Sequence, residues 1–352
     1  MVRTPANIRD VAARAGCSIA TVSRVATGNG PVSVAMQKKV VDAALTLGFP
    51  LAPPSAARRP VLGVLLPSLT NPVFAGALAG IEHCARANDL SIIIGQSNYR
   101  ADEEMAVIAA LIAERPMGLI ITVCDPATSD VFATVAQQGI PAATVYNEGV
   151  PDGFGSVSVD NRAAMRELTE KLLNLGHRSI LFVGGRFASS DRAINRYRGY
   201  CDAMKAAGCQ PFAALEVDFI DATEDVDLTA ALDKRHPTAI VVSNDLLALT
   251  VIASLRRSGL RVPQDVSVTG FDGIDLARHI SPRLTTIVQP SRTMGVLAAS
   301  MVLDIAAGRR HPAHIRADFT FARGETIEEA KPHPRSQSSS SSTNQEPHSH
   351  EN

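Results

Sequence analysis

Apolar residues in the first fifty positions recur at helical spacing. Ile8, Val11, Ala12 and Ala15 form one stripe, with Asn7 placed to cap the helix, Asp10 in the capping-box position and Gly16 as the stop. Ser18 caps a second short helix, Ile19 to Ala26. There Val22 and Val25 face inward and Ser18, Ile19, Ala20, Ser23 and Arg24 outward. Ser33 caps a third helix, Val34 to Leu47, whose stripe is Met36, Val40, Ala44 and Leu47, and Gly48 ends it. From Val61 the period changes. Strand-length apolar runs alternate with amphipathic stretches: VLGVLLP, helix 74–88, LSIIIG, helix 101–115, GLIITV, helix 129–138 and PAATVY. A second series follows: helix 161–175, SILFVGG, helix 191–207, LEVDFI, helix 225–234, AIVVS, helix 244–258 and VSVTGF.

Continuous Val, Ile and Leu strands separated by helices predict parallel sheets covered on both faces. Two such series predict an α/β domain of two doubly wound subdomains with a cleft between them, where ligands sit at the carboxyl ends of the strands. The start reads differently. Two helices joined by a small-residue turn suit a helix-turn-helix, which lays its second helix in the DNA major groove. An amphipathic helical hairpin without that role fits the same pattern. Residues 50–60, PLAPPSAARRP, read as a linker, and residues 331–352, rich in Ser, His and Pro, read as a disordered tail.

Charge sharpens the division. The 352 residues carry a net charge of −1, yet residues 1–60 hold eight Lys or Arg against Asp10 and Asp42. Phosphate neutralisation supplies much of protein–DNA affinity, so a basic excess confined to the head points to nucleic acid; a solvated surface is the competing explanation. Five scattered cysteines without a CxxC pair read as reduced thiols. The polar start does not read as a signal peptide and no apolar run has membrane-helix length, so a cytoplasmic protein without membrane contact is expected.

The stretch IRDVAARAGCSIATVSRVATG, with the tetrapeptide Thr21-Val22-Ser23-Arg24 and a third helix ending LGF, resembles the DNA-binding head of the lactose-repressor (LacI) family. The resemblance implies that Ile19 and Ala20 set base preference, that Arg24 lies near the bases, and that Ser18, Thr21, Asn29 and Ser33 lie near phosphates. In that family the linker is longer and forms, on DNA, a hinge helix with a leucine wedge. Here Pro53-Pro54 leave room for a very short helix only, Pro60 stands about where the leucine is expected, and Ala56 and Ala57 are too small to unstack a base step. Arg58 and Arg59 are therefore expected to contact the backbone or minor groove electrostatically.

Further motifs extend the resemblance over nearly the whole chain: NPVF at 71–74, LGHRSI at 175–180, RYRG at 196–199, SNDLLAL at 243–249, VPQDVSVTGFD at 262–272 and LTTIVQP at 284–290. It implies a periplasmic-binding-protein-like fold with three crossings, near Asp160, Pro290 and Phe319. The expected division is 1–49 for the head, 50–60 for the hinge and 61–330 for effector binding and dimerisation. The two lobes are about 61–159 plus 290–318 and 160–289 plus 319–330.

Candidate effector residues stand at strand ends and helix starts: Asn71, Phe74, Asn147, Arg196, Phe219, Asn244 and Asp272. An Arg and an Asp on opposite walls grip hydroxyls or a carboxylate, and a Phe face covers a sugar or purine ring. The resemblance implies effector contact for Arg196 and Asp272 and ring stacking for Phe219, and matches Asn147 loosely. Asn244 equally suits a helix cap, and Phe74 the core.

No catalytic constellation is evident. Gly184-Gly185 lacks the spacing of a dinucleotide fingerprint, no phosphate-binding GKS or GKT occurs, and the histidines outside the tail lack metal-ligand spacing, so neither cofactor nor metal is expected. The reading is a ligand-responsive transcriptional regulator, in the main a repressor, that binds a palindromic double-stranded DNA operator as a homodimer and answers to a sugar-like small molecule. A solute-binding protein of sugar uptake is the alternative. A tail without leucine heptads favours a dimer built through the large domains.

Overall fold

Asn7 begins helix α1 (Ile8–Ala15) with a complete capping box: its Oδ1 accepts from the Arg9 and Asp10 amides at 2.9 and 3.3 Å, and its own N–H donates to Asp10 Oδ2 at 2.8 Å. Gly16 ends the helix at φ 65°, a left-handed conformation that glycine adopts without steric cost. Helices α2 (Ile19–Thr27) and α3 (Val34–Leu47) follow. Val11, Val22, Val25 and Val40 fill the centre of the unit with Ala12, Ala15, Ala43 and Ala44 around them. On α3 the buried stripe is Val40, Ala43 and Ala44, while Met36 and Leu47 reach it only half-buried from the helix ends. The structure, a computed structural model, describes residues 6–27, 30–51, 59–219 and 225–331, and the chain divides into two units, Met1–Pro60 and Val61–Asn352. Most of the linker, and the tail beyond Lys331, lie outside the described residues.

The second unit opens with β1 (Val61–Leu66), α4 (Pro72–Ala87), β2 (Ser91–Gln96), α5 (Ala101–Ala113), β3 (Gly118–Ile121), α6 (Val131–Gln137), β4 (Ala142–Val145) and β5 (Gly155–Ser158). It continues through α7 (Asn161–Asn174), β6 (Ile180–Gly185), α8 (Asp191–Ala206), β7 (Leu215–Val217), α9 (Thr229–Arg235), β8 (Ala239–Val242) and α10 (Asp245–Arg257). It closes with β9 (Ser267–Thr269), α11 (Leu276–His279), β10 (Thr286–Val288), α12 (Ser291–Ala306), β11 (His314–Arg316) and β12 (Thr320–Ala322).

One six-stranded sheet runs β11-β5-β4-β3-β1-β2 and a four-stranded sheet β7-β6-β8-β9, every pair parallel. In both, the first strand of the series lies inside the sheet with later strands on either side, which opens a crevice at the carboxyl ends. β10 and β12 form a separate antiparallel ribbon, and single bridges from Thr269 to Thr285 and from Asp272 to Val288 continue β9 beside β10. The chain leaves the first sheet after β5, returns with α12 and β11, and ends beside β10.

Three details depart from the periodic reading. Helix 225–234 begins only at Thr229, because Val226 and Leu228 are drawn into the core ahead of it and Asp227 caps the Thr229 amide at 2.9 Å. LEVDFI pairs only over Leu215–Val217, leaving Phe219 free to turn away from the sheet. The fifth strand of the first sheet, GSVS, is too polar to announce itself, yet all four residues are buried.

Helices pack on one another through glycines. A Cβ on Gly295 of α12 would fall 2.0 Å from the Ala77 carbonyl of α4, and one on Gly80 of α4 would fall 2.1 Å from the Arg292 carbonyl of α12. Glycine inside a helix costs about 1 kcal/mol against alanine, a cost offset here by backbone approach that no side chain permits.

Candidate functional site

Helix α2 spends little of itself on its own unit. Val22 and Val25 alone are buried, while Ser18, Ile19, Ala20, Ser23 and Arg24 are exposed, Ile19 at 45%. Ser18 Oγ accepts from the Thr21 amide at 3.1 Å and pairs with Thr21 Oγ1 at 2.9 Å, so the cap holds both hydroxyls at the helix start. Ser33 Oγ accepts from the Met36 amide at 3.3 Å, leaving the amino end of the 14-residue α3 exposed. Helix amino ends and hydroxyls suit phosphate; an exposed Ile and Ala suit thymine methyls and groove floors. Arg59 is exposed, whereas Asn29 and Arg58 lie outside the described residues.

The second candidate site is a narrow cleft in the larger unit, where the carboxyl ends of the two sheets face each other. The first sheet contributes Asn71, Val73 and Phe74 at the start of α4, Tyr99 after β2 and Tyr146 after β4. The second contributes Ser190, Arg192 and Arg196 on α8, Phe219 after β7, Ser243 and Asn244 after β8, and Asp272 after β9; Gln289 follows β10.

Arg196 and Asp272 form the polar centre. Arg196 Nη1 lies 3.3 Å from Asp272 Oδ1, and both side chains are buried. The guanidinium rests 3.6 Å from the Phe271 ring centroid, donates Nε to Asn161 Oδ1 at 2.8 Å and donates Nη1 to the Ser243 carbonyl. Gln289 Nε2 donates to Asp272 Oδ1 at 2.7 Å. Burial pushes the Asp272 carboxyl up to about 6 despite the neighbouring guanidinium. Asp272 also sits at φ 121°, where a non-glycine residue stores of order 1–3 kcal/mol. Backbone bonds to either side of Val288 hold it there: its N–H donates to Ile287 at 2.8 Å and its carbonyl accepts from Gln289 at 3.1 Å.

Asp245 stands behind this centre. Its Oδ2 accepts from the Gly273 and Ile274 amides at 2.7 and 2.9 Å, fixing the turn that follows Asp272, and its Oδ1 accepts from Thr286 at 2.5 Å. Burial, reinforced by the Asp272 charge, raises its carboxyl to about 7.

Aromatic rings close the cavity. Tyr99 and Phe219, one from each sheet, meet with centroids 4.6 Å apart, and Phe74 packs edge-on to Tyr146 at 5.4 Å. Burial raises the Tyr99 hydroxyl to about 12, so it remains a neutral donor.

Six of the seven residues proposed from sequence line the cavity. Asn147 does not. Its Oδ1 accepts from the Val123 amide and its Nδ2 donates to the Val123 carbonyl and to Asp191 Oδ1, each at 2.9 Å, so its whole amide is spent on joining one sheet end to α8. Asn71 and Asn244 cap their helices as well as lining the wall: their Oδ1 atoms accept from Val73 at 3.2 Å and Leu247 at 2.8 Å. Phe74 belongs both to the core and to the wall.

Sequence reasoning missed Arg192, Tyr99, Tyr146, Ser190 and Gln289. Arg192 carried a signal: it precedes Arg196 by four, one turn earlier on the same helix face. Arg192 Nη1 donates to Asp191 Oδ1 at 2.8 Å and to the Val123 carbonyl at 3.0 Å, and burial holds the Asp191 carboxyl above its ordinary value.

No helix among the described residues is long and apolar enough to cross a membrane. The profile described as "Bacterial regulatory proteins, lacI family" matches residues 7–50, and that of "Periplasmic binding proteins and sugar binding domain of LacI family" matches residues 59–325. The chain is 31% identical over 327 residues to the HTH-type transcriptional regulator GntR of Escherichia coli K12, covering 91% of this chain and 98% of that protein. It is 30% identical over 319 residues to the HTH-type transcriptional repressor CytR of the same strain, covering 87% and 91%. Among solved structures, the lac repressor dimer bound to operator and the anti-inducer ONPF superposes with a TM-score of 0.67 at 26% identity, covering 92% of this chain and 100% of that one.

Proposed function

This chain belongs to the LacI family of bacterial regulatory proteins, and we propose that it represses transcription by binding a palindromic operator as a homodimer whose DNA affinity a sugar-like effector sets. It is a ligand-responsive DNA-binding regulator and not an enzyme. We place it in the cytoplasm, on nucleoid DNA. Residues 1–49 read the operator, 50–60 form the hinge, and 61–330 bind effector and dimerise. Each head lays α2 in a major-groove half-site about one helical turn from its twin. Ile19, Ala20, Ser23 and Arg24 face bases, while Ser18, Thr21, Asn29 and Ser33, with Arg58 and Arg59 of the hinge, meet the backbone. Asn71, Phe74, Arg196, Phe219, Asn244 and Asp272 hold the effector, and Asn147 supports them from behind.

The observation that carries the reading is the outward face of α2, where Ser18, Ile19, Ala20, Ser23 and Arg24 are all exposed on a unit with a basic excess. Effector in the cavity bears on DNA only through its different affinity for two arrangements of the molecule, typically about 1–3 kcal/mol of coupling.

Duplexes selected from a random-sequence pool by the full chain should converge on a palindrome. Arg24→Ala should then weaken that complex by the roughly 1–3 kcal/mol of a base contact and leave ligand binding in the larger unit unchanged. Undiminished affinity in the variant would remove α2 from the groove.

A further inference from the structure

Arg24 stands unpaired on the outer face of α2. It is exposed and makes no hydrogen bond or ion pair among the described residues. What touches it is the loop between α2 and α3. A Cβ on Gly30 would lie 3.4 Å from Arg24 Cδ and 3.8 Å from its Cγ and Nε, ordinary van der Waals distances, so the backbone at Gly30 runs alongside the outer half of the arginine stem.

That approach depends on the residue being glycine. Gly30 sits at φ 112°, which residues with a side chain rarely adopt, and Pro31 follows it. A residue with a Cβ before proline is pushed instead toward φ near about −120°. An alanine at position 30 would find room for its methyl beside Arg24, yet its backbone would have to turn the other way and carry the loop off the stem. The requirement for glycine lies in the backbone, and the consequence falls on Arg24.

Restricting an exposed arginine has a physical use. Its long side chain loses rotamer freedom when the guanidinium is fixed on a base edge. A stem already laid along a backbone loses less. With no carboxylate on the guanidinium among the described residues, no ion pair has to break when DNA arrives.

We propose that Gly30 is a positioning residue for base reading: its backbone restricts the Arg24 stem before DNA is bound, and so raises both the affinity and the base preference at the position that Arg24 reads. This rests on α2 lying in the major groove. Gly30 acts through Arg24 and needs no base contact of its own.

Two measurements on the full chain test it. The first is a double-mutant cycle on the selected duplex with Arg24→Ala, Gly30→Ala and the pair. Gly30→Ala alone should weaken the complex about threefold to tenfold, part of the freedom an arginine loses when it is fixed. Selection from a random-sequence pool with that variant should relax the base preference at a single position of each half-site. On the Arg24→Ala background the same change should cost less than about twofold. A loop that only supports the head would weaken both backgrounds alike and leave the base preference as it was, and that additive outcome would overturn the inference. The second measurement is the heteronuclear NOE at the Arg24 Nε–H of the unaltered chain without DNA. It is set against Arg9 and Arg14 of α1, whose side chains are also exposed and unpaired among the described residues. Arg24 should be the more rigid; equal mobility would overturn the inference even where Gly30→Ala fails to fold. Arg24→Ala that leaves DNA affinity whole would overturn the groove reading together with this one, whereas additivity or equal mobility overturns this one alone.

Discussion

A Cβ on Gly185 would lie 1.9 Å from the ring of Phe219. The glycine at the end of β6 therefore seats the aromatic ring that meets Tyr99 over the cavity. Gly185→Ala should displace Phe219 and break that pair. An aromatic contact is worth about 0.5–1.5 kcal/mol beyond its buried area, so effector affinity should fall roughly twofold to tenfold with operator binding intact. Calorimetric titration with whichever sugar-like compound binds the unaltered protein checks this; unchanged affinity would mean that the ring has no part in the site.

Asp272 and Asp245 make stability depend on pH in an uncommon direction. Both carboxyls are raised in the folded chain from 3.8, to about 6 and about 7. Within that window the folded state binds more protons than the unfolded one, so these groups make the protein more stable as pH falls from about 7 toward 4 and less stable as it rises. Each contributes a slope approaching about 1.4 kcal/mol per pH unit inside its window. Asp265, Asp202 and Glu325, held below their ordinary values by arginines, act oppositely but at lower pH and in solvent. Urea denaturation at pH 5, 6, 7 and 8 should show a flatter profile between 6 and 8 for Asp245→Asn than for the unaltered chain. Parallel profiles would show that Asp245 does not titrate there.

The contact of α4 with α12 offers a stability test away from both sites. Gly295→Ala places a methyl 2.0 Å from the Ala77 carbonyl, an atom that cannot rotate away. Overpacking of this kind costs about 1–3 kcal/mol, and the lost contact should appear as a lower midpoint of the larger unit's transition. An unshifted midpoint would mean that the two helices slide apart without cost.

In the head, Val22 is fully buried among small residues. Val22→Ala removes two methyl-sized groups, roughly 2 kcal/mol at about 0.8 kcal/mol each, from a unit with little core to spare. Faster proteolysis within residues 6–51 and weaker operator binding are expected, with effector binding unchanged. A head that resists protease as well as before would locate its stability outside this core.

The alternation of Val, Ile and Leu runs with amphipathic stretches determined the two parallel sheets, because strand and helix periods are local properties that a buried sheet imposes on every segment. The outward face of α2 was legible for the same reason: Val22 and Val25 are the residues of that helix suited to a core, and the rest had to face away. Asp272 and Phe219 stood out as residues just past strand ends, while Arg196, inside α8, was singled out through the family resemblance.

Tertiary structure alone decided which side chains meet. Nothing local distinguishes Asn147, whose amide is consumed behind the wall, from Asn71, which faces the cavity; the difference lies in the distance of each from Val123 and Asp191. Tyr99 and Phe219 are 120 residues apart along the chain and 4.6 Å apart between ring centroids. Hydrogen-bond satisfaction is a property of the packed neighbourhood, and the chain assembles that neighbourhood from segments whose own patterns are silent about it.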